Sequence, residues 1–297
     1  MARIIIAPQD MPIGVITGLV RRGLLRYDAA AEKRVSARYQ DRLPLAEAIR
    51  RLSVQRPELG LVEDHGGSLA PIADIAQPHG DALDRWLADT TTLAPGMDAR
   101  TAAAYLLSIF LWRFGQILGA LYLSGAALPV FTANDVAADM TATGEGRSRD
   151  IRFRYRLTGT GPVLSGNQAG MTRSIVDVHR PLVDALHDRT RLSKSALWRL
   201  VTDGVAEGFL DHGRATGEEQ RAQLEALSVL AEPPLHNPQW RFVQIDVGGK
   251  RRRWFRLRGG CCRMYLMPAT DYCTTCVVRP ADQQIARLRA FVERRPS

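Results

Sequence analysis

The whole thiol supply of this 297-residue chain, Cys261, Cys262, Cys273 and Cys276, lies within sixteen consecutive positions near the C-terminus. A chain that gathers its sulfur this way builds one local site and does not cross-link distant elements. Four thiolates complete a coordination shell that an iron-sulfur cluster or a structural zinc ion accepts. Four-cysteine zinc sites usually use two separated Cys-x2-4-Cys knuckles, and only one is present here, Cys273-Thr274-Thr275-Cys276. The other pair is an adjacent dipeptide, whose side chains point to opposite faces of an extended backbone. A tight turn helped by Gly259-Gly260 would reconcile them. A two-iron cluster is a wider target than one ion, so the spacing favours iron and sulfide, while zinc stays open.

The surrounding charge adds to this constraint. The chain carries +9, and from Arg241 to Arg258 seven basic residues stand against Asp246 alone, a local +6 beside the cysteines. Such a stretch would attract an anionic ligand or an acidic redox protein in a salt-dependent way, or else form a solvated surface or a nucleic-acid patch. A thiolate site persists in a reducing compartment. The apolar run Ile4-Ile5-Ile6 before Pro8 and Asp10 is too short for a secretory signal, so a cytoplasmic location is expected.

With 45% hydrophobic and 24% charged residues, the composition is that of a globular protein with one large core or two modest ones. A short strand is expected at Arg3 to Ala7. One or two helices are expected between Ala31 and Leu52, and a short helix over His79 to Ala88. The longest apolar segment, Ala102 to Phe131, is long enough to span a bilayer. Arg113, Gln116, Ser124, several glycines and Pro129 interrupt it, which points to a buried core helix. Strict alternation places Ile151, Phe153, Tyr155 and Leu157 on one face of a strand. Helices follow over Ile175 to Arg189 with Pro181 near the start, Ser193 to Asp211 with a serine cap, and Gly217 to Leu230.

Pro233-Pro234 closes the helical region and divides the chain into a mainly helical part, 1–235, and a C-terminal module, 236–297. In the module, two strands flank Gly248-Gly249, read as a two-residue hairpin turn. That register sets Asp246 opposite Arg251, Phe242 opposite Phe255 and Trp240 opposite Leu257, with Val243 and Trp254 on the other face. Pro280 to Arg294 forms a terminal helix. The expected class is α+β and predominantly helical, with a small antiparallel sheet or hairpin and the cysteine module. Gly159-Thr160-Gly161 lacks the Gly-Lys-Ser/Thr of a phosphate loop, Ser165 lacks a nucleophile elbow, and the six histidines show no ligand spacing.

Cys-Cys-x10-Cys-x2-Cys close to a C-terminus resembles the FhuF-like ferric siderophore reductases. The likeness takes in Asn237-Pro238-Gln239-Trp240-Arg241, the basic hairpin, and Tyr265 and Pro268 in a Cys-Cys-x-x-Tyr-x-x-Pro pattern. The segments Tyr105 to Leu123 and Ser195 to Phe209 also look similar. Leu266-Met267 departs from it, where the family often has arginine followed by leucine. The resemblance implies a 2Fe-2S cluster on Cys261, Cys262, Cys273 and Cys276 and reduction of ferric iron held by a hydroxamate-type siderophore. It also implies an electron donor such as a ferredoxin or a flavodoxin-type reductase. Peripheral contact with the inner membrane is compatible with the basic face, and nucleic acid is not an expected partner. A cluster with filled iron shells needs only a docking surface for the ferric chelate, for which Trp240, Trp254, Arg256, Arg258, Arg263 and Tyr265 are candidates. The bland reading of these six is a packed and solvated hairpin, and the rival reading of the chain is a zinc-stabilised binding protein.

Overall fold

The computed structural model describes residues 43–63, 69–143, 150–159, 168–249, 251–268 and 270–294. In chain order the elements are α1 (Leu45–Gln55), β1 (Ala70–Pro71), α2 (Ile72–Ile75), α3 (Asp81–Thr91), α4 (Ala99–Leu123), β2 (Val136–Thr143) and β3 (Asp150–Leu157). They continue with α5 (Gln168–Thr190), α6 (Lys194–Thr216), α7 (Glu219–Val229), β4 (Arg241–Val247), β5 (Arg251–Leu257) and α8 (Ala281–Arg294). The chain is a predominantly helical α+β protein with small antiparallel sheets. The strand expected at Arg3 to Ala7 lies outside the described residues.

Two long helices form the axis. Helix α4 starts where Asp98 Oδ1 accepts a 2.7 Å hydrogen bond from the Thr101 amide, which satisfies one of the free amides of the first turn. Helix α6 starts where Ser193 Oγ accepts from Ala196 N at 3.3 Å. Glycines on both let the backbones touch: a Cβ on Gly208 would lie 1.9 Å from the carbonyl oxygen of Gly115, and one on Gly115 2.2 Å from that of Gly204. The apolar stretch that is long enough for a bilayer is therefore a core helix, 72% of its most apolar window being covered by protein.

A three-stranded antiparallel sheet, ordered β1-β2-β3, packs on α4. Ile151, Phe153, Tyr155 and Leu157 all point inward, as their alternation requires. Tyr155 is fully buried, and its hydroxyl donates to the carbonyl of Phe110 at 2.8 Å. Strand β2 runs to Thr143, with Val136, Ala137, Ala138 and Met140 buried. Helix α5 begins at Gln168, earlier than its periodicity suggested, so Pro181 sits inside it. Thr172 Oγ1 donates to Val229 O at 2.7 Å and ties that early turn to α7, a tertiary contact that no local pattern announces.

The hairpin register differs from the expected one by one residue. Val247 pairs Arg251, Val243 pairs Phe255 and Phe242 pairs Arg256. Three positions therefore separate the paired Val247 and Arg251; Gly248 and Gly249 take φ of 66° and 71°, and Asp246 Oδ1 accepts from Gly249 N at 2.8 Å. A shift of one position exchanges the faces. Val243, Ile245, Phe255 and Leu257 consequently share a small core with Leu288 and Val292 of α8, while Trp240 and Phe242 enter the main core.

Candidate metal centre

Strand β5 runs straight into the cysteine motif, and α6 receives it. Asp203, on α6 and 3% exposed, accepts from Gly259 N through Oδ1 and from Gly260 N through Oδ2, each at 2.9 Å. The two glycines serve close approach and not a left-handed turn. A Cβ on Gly260 would meet Leu200 Cδ2 at 2.8 Å, and one on Gly259 would meet Asn237 Nδ2 at 2.1 Å. The left-handed residue is Arg263, with φ of 62°, and it turns the chain just after the adjacent cysteines. Its amide donates to Cys261 Sγ at 3.3 Å, while its side chain reaches Thr101 Oγ1 at 3.2 Å and Asp98 Oδ2 at 3.4 Å.

The second pair is held by backbone contacts. Cys276 N donates to Cys273 O at 3.1 Å, and Arg258 N donates to Thr275 O at 3.1 Å, which ties the knuckle to the end of β5. Gln284 of α8 donates to Cys276 O at 2.7 Å and Arg279 O at 2.8 Å. Buried Arg279 donates to Tyr272 O at 2.6 Å and to Asp271 at 3.2 Å. The ring of Tyr265 lies 4.8 Å from that of Tyr272.

One side chain joins the pairs. Arg258 Nη1 reaches Cys262 Sγ at 3.5 Å and Cys273 Sγ at 3.9 Å, one sulfur from each. Its Nε faces Asp203 Oδ2 at 3.4 Å and its Nη2 faces Ser108 Oγ at 3.4 Å. Burial opposes the charge of Arg258, but Asp203 and the two sulfurs outweigh it, so the guanidinium is held charged more firmly than an ordinary one. Burial pushes the Cys261 thiol up, against the Arg263 amide and Arg258, which favour its thiolate. The Cys273 thiol is likewise raised by burial, with Arg258 opposing and Cys276 and Cys262 adding to the rise.

All four cysteines are free thiols. Four sulfurs with N–H donors aimed at three of them suit a group of net negative charge, which a 2Fe-2S core bound by four thiolates is. Among the described residues, no three or more His, Cys, Asp or Glu side chains form a group able to hold a metal ion.

Cys262 and Arg258 open into a cleft of about 310 Å³ between α4, α6 and β5. Tyr105, Ser108, Ile109 and Trp112 line its α4 wall, and Trp112 is 42% exposed. Of the residues proposed for docking, Arg256 and Arg258 face this cleft. Trp240 is only 3% exposed and stands edge-on to Phe242 in the core, so it offers no docking surface. Trp254 is half-buried against the same core, and Arg263 and Tyr265 are half-buried beside the cysteines.

The +6 stretch is partly neutralised from within. Arg256 pairs with Glu207 at 2.9 Å and Asp203 at 3.3 Å, Arg258 with Asp203, and Arg252 with Asp246 at 2.9 Å. Sequence reasoning passed over Asp203 and Glu207. Their signal is an acid at every fourth position, Asp203, Glu207 and Asp211, which places three carboxylates along one side of a helix. Trp112 and Tyr105 were seen only as part of an apolar helix. No protein-family model and no curated protein matches this chain.

Proposed function

We propose that the chain is a ferric siderophore reductase whose 2Fe-2S cluster is held by Cys261, Cys262, Cys273 and Cys276. The observation that carries the reading is Arg258, one guanidinium within reach of a sulfur from each cysteine pair. A charged donor shared by the two pairs supports reading them as one site. When bound, the cluster supplies one electron at a time and offers no open coordination position.

The chain's own residues do the rest. Asp203 fixes the turn that presents Cys261 and Cys262, Gln284 and Arg279 fix the knuckle, and the cleft above Cys262 gives a ferric chelate an apolar wall of Ile109 and Trp112. One electron converts chelated Fe(III) to Fe(II) with no covalent bond to carbon made or broken. The ferrous ion, of lower charge, is held less tightly by hard hydroxamate oxygens, so reduction becomes release. A cytoplasmic site, a ferredoxin or flavodoxin-type donor and salt-sensitive contact with the inner membrane complete the proposal.

The test is a single turnover. Anaerobically reduced protein is mixed with a ferric hydroxamate and a ferrous trap, and the expected result is reoxidation of the protein in step with trapped iron. A protein that stays reduced with ferric chelates of several ligand classes overturns the reductase reading. A colourless protein with stoichiometric zinc after anaerobic purification establishes the zinc-stabilised alternative instead.

A further inference from the structure

We infer that Arg258 is a positioning residue for the redox potential of the site: its buried charge, set against Cys262 and Cys273 and anchored by Asp203, favours the reduced protein. The inference rests on the cluster reading above. Iron-sulfur potentials follow net charge, hydrogen bonds to sulfur and solvent exposure, and Arg258 bears on all three.

Its guanidinium carries the positive charge, its Nη1 supplies contacts to two sulfurs, and its side chain is only 14% exposed at the cleft floor. An added electron raises the negative charge on the sulfur-bound group, and a cation a few ångströms away in a poorly solvated site stabilises that state more than the oxidised one. Asp203 does not cancel this. Its carboxylate is shared among two backbone amides, Arg256 and Arg258, and it faces Nε of Arg258 while Nη1 faces the sulfurs.

Anchoring matters as much as charge. A free arginine loses several rotatable bonds' worth of entropy to hold one geometry. Here the side chain is fixed at Nε by Asp203 and at Nη2 by Ser108, so the donor stands ready before any electron arrives. Arg256, two positions earlier and on the same side of the extended backbone, is engaged by Glu207 and Asp203 and makes no sulfur contact among the described residues, which makes it the internal comparison.

The test is a mediated redox titration of the purified, cluster-loaded full chain, with iron and sulfide content and helical circular dichroism measured on every variant. At the potential where the wild type is half reduced, Arg258→Gln is expected to show a reduced-to-oxidised ratio about tenfold lower, a fall of about 59 mV for a one-electron couple. Arg258→Lys keeps a charge without the forked donor, and its ratio is expected to fall by less. An Arg258→Gln protein with wild-type iron and sulfide and an unchanged midpoint overturns the inference. If that variant does not load, Arg258→Lys decides: a lowered midpoint supports the inference and an unchanged one overturns it. Loss of the cluster from both variants with the helical signal intact gives Arg258 a purely structural role and also overturns it. Wild-type protein without iron and sulfide strikes the cluster reading itself and takes the inference with it. A protein that titrates as expected yet fails to reduce ferric chelates strikes only the reductase reading.

Discussion

A hydrogen bond of 2.9 Å from the amide of Gly260 to Oδ2 of Asp203 joins residues fifty-seven positions apart and sets the cysteine motif against helix α6. The same carboxylate holds Gly259 N and faces Arg256 and Arg258. Asp203→Ala therefore leaves two buried amides and two arginines short of a partner. The expected loss is about 3 to 5 kcal/mol of stability, as for a broken buried ion pair. Asp203→Asn, which keeps one acceptor, is expected to lose less. Urea unfolding of the two variants beside the wild type checks the order, and equal midpoints for all three proteins would show that the carboxylate does not anchor the motif.

Gly260 tests the close approach directly. A methyl group there meets Leu200 Cδ2 at 2.8 Å and the backbone of Arg199 and Leu200 at 3.0 Å. The strand end must move off α6, so Gly260→Ala is expected to lower stability by about 1 to 3 kcal/mol, the usual range for overpacking. Iron content is expected to fall with it, because Cys261 and Cys262 move too. Full iron loading and wild-type stability in the alanine variant would contradict the geometry.

Each of the four cysteines, replaced singly by serine, is expected to change the visible spectrum and lower the iron content. The four need not respond equally in folding. Cys276 is buried and its carbonyl accepts from Gln284 of α8, so Cys276→Ser is expected to loosen α8 as well. A variant that keeps both spectrum and iron unaltered removes that cysteine from the proposed ligand set.

Trp112 lines the cleft from outside the main core and is 42% exposed. If the cleft seats the chelate, Trp112→Ala is expected to raise the chelate concentration needed for half-maximal reoxidation several-fold. Stability should stay within about 0.5 kcal/mol, since exposed positions seldom matter more. An unchanged concentration dependence would place docking elsewhere.

His179 gives a pH dependence unrelated to the cysteines. It is fully buried against Phe110 and Phe114, its Nδ1 donates to Ile175 O at 2.6 Å, and its Nε2 has no hydrogen-bond partner among the described residues. Burial lowers its pKa from 6.5 to about 4, against the opposing pull of the Ile175 carbonyl. The folded state thus binds this proton less readily than the unfolded state. The associated stability is present above pH 6.5 and is lost as pH falls towards 4, by an amount on the order of 3 kcal/mol. The difference between wild-type and His179→Leu urea midpoints, followed from pH 7 to pH 4, should trace that fall. Parallel curves would show that His179 does not titrate in this window.

Much of the fold was legible because its causes are local. The alternation of Ile151, Phe153, Tyr155 and Leu157 marked β3, Ser193 marked the start of α6, and Gly248-Gly249 marked a hairpin. The hairpin's register was not legible, because Gly-Gly serves a three-residue loop as readily as a two-residue one. Only packing of Val243 and Phe255 against α8 distinguishes the faces. Trp240 was misread for a similar reason: an aromatic residue at a strand's start has the same pattern whether it meets solvent or the main core.

The sequence by itself determined that all four sulfurs lie within sixteen consecutive positions. It also determined that basic residues stand beside them. Only the tertiary structure decided which of those charges are spoken for. Arg258 reaches the sulfurs, Arg256 does not, and both are answered by Asp203 from a helix more than fifty positions away. The physical reason is range. Helical and strand patterns record neighbours a few residues apart, whereas the partner of a buried charge is set by which backbones touch, here at glycines of α4, α6 and the cysteine motif.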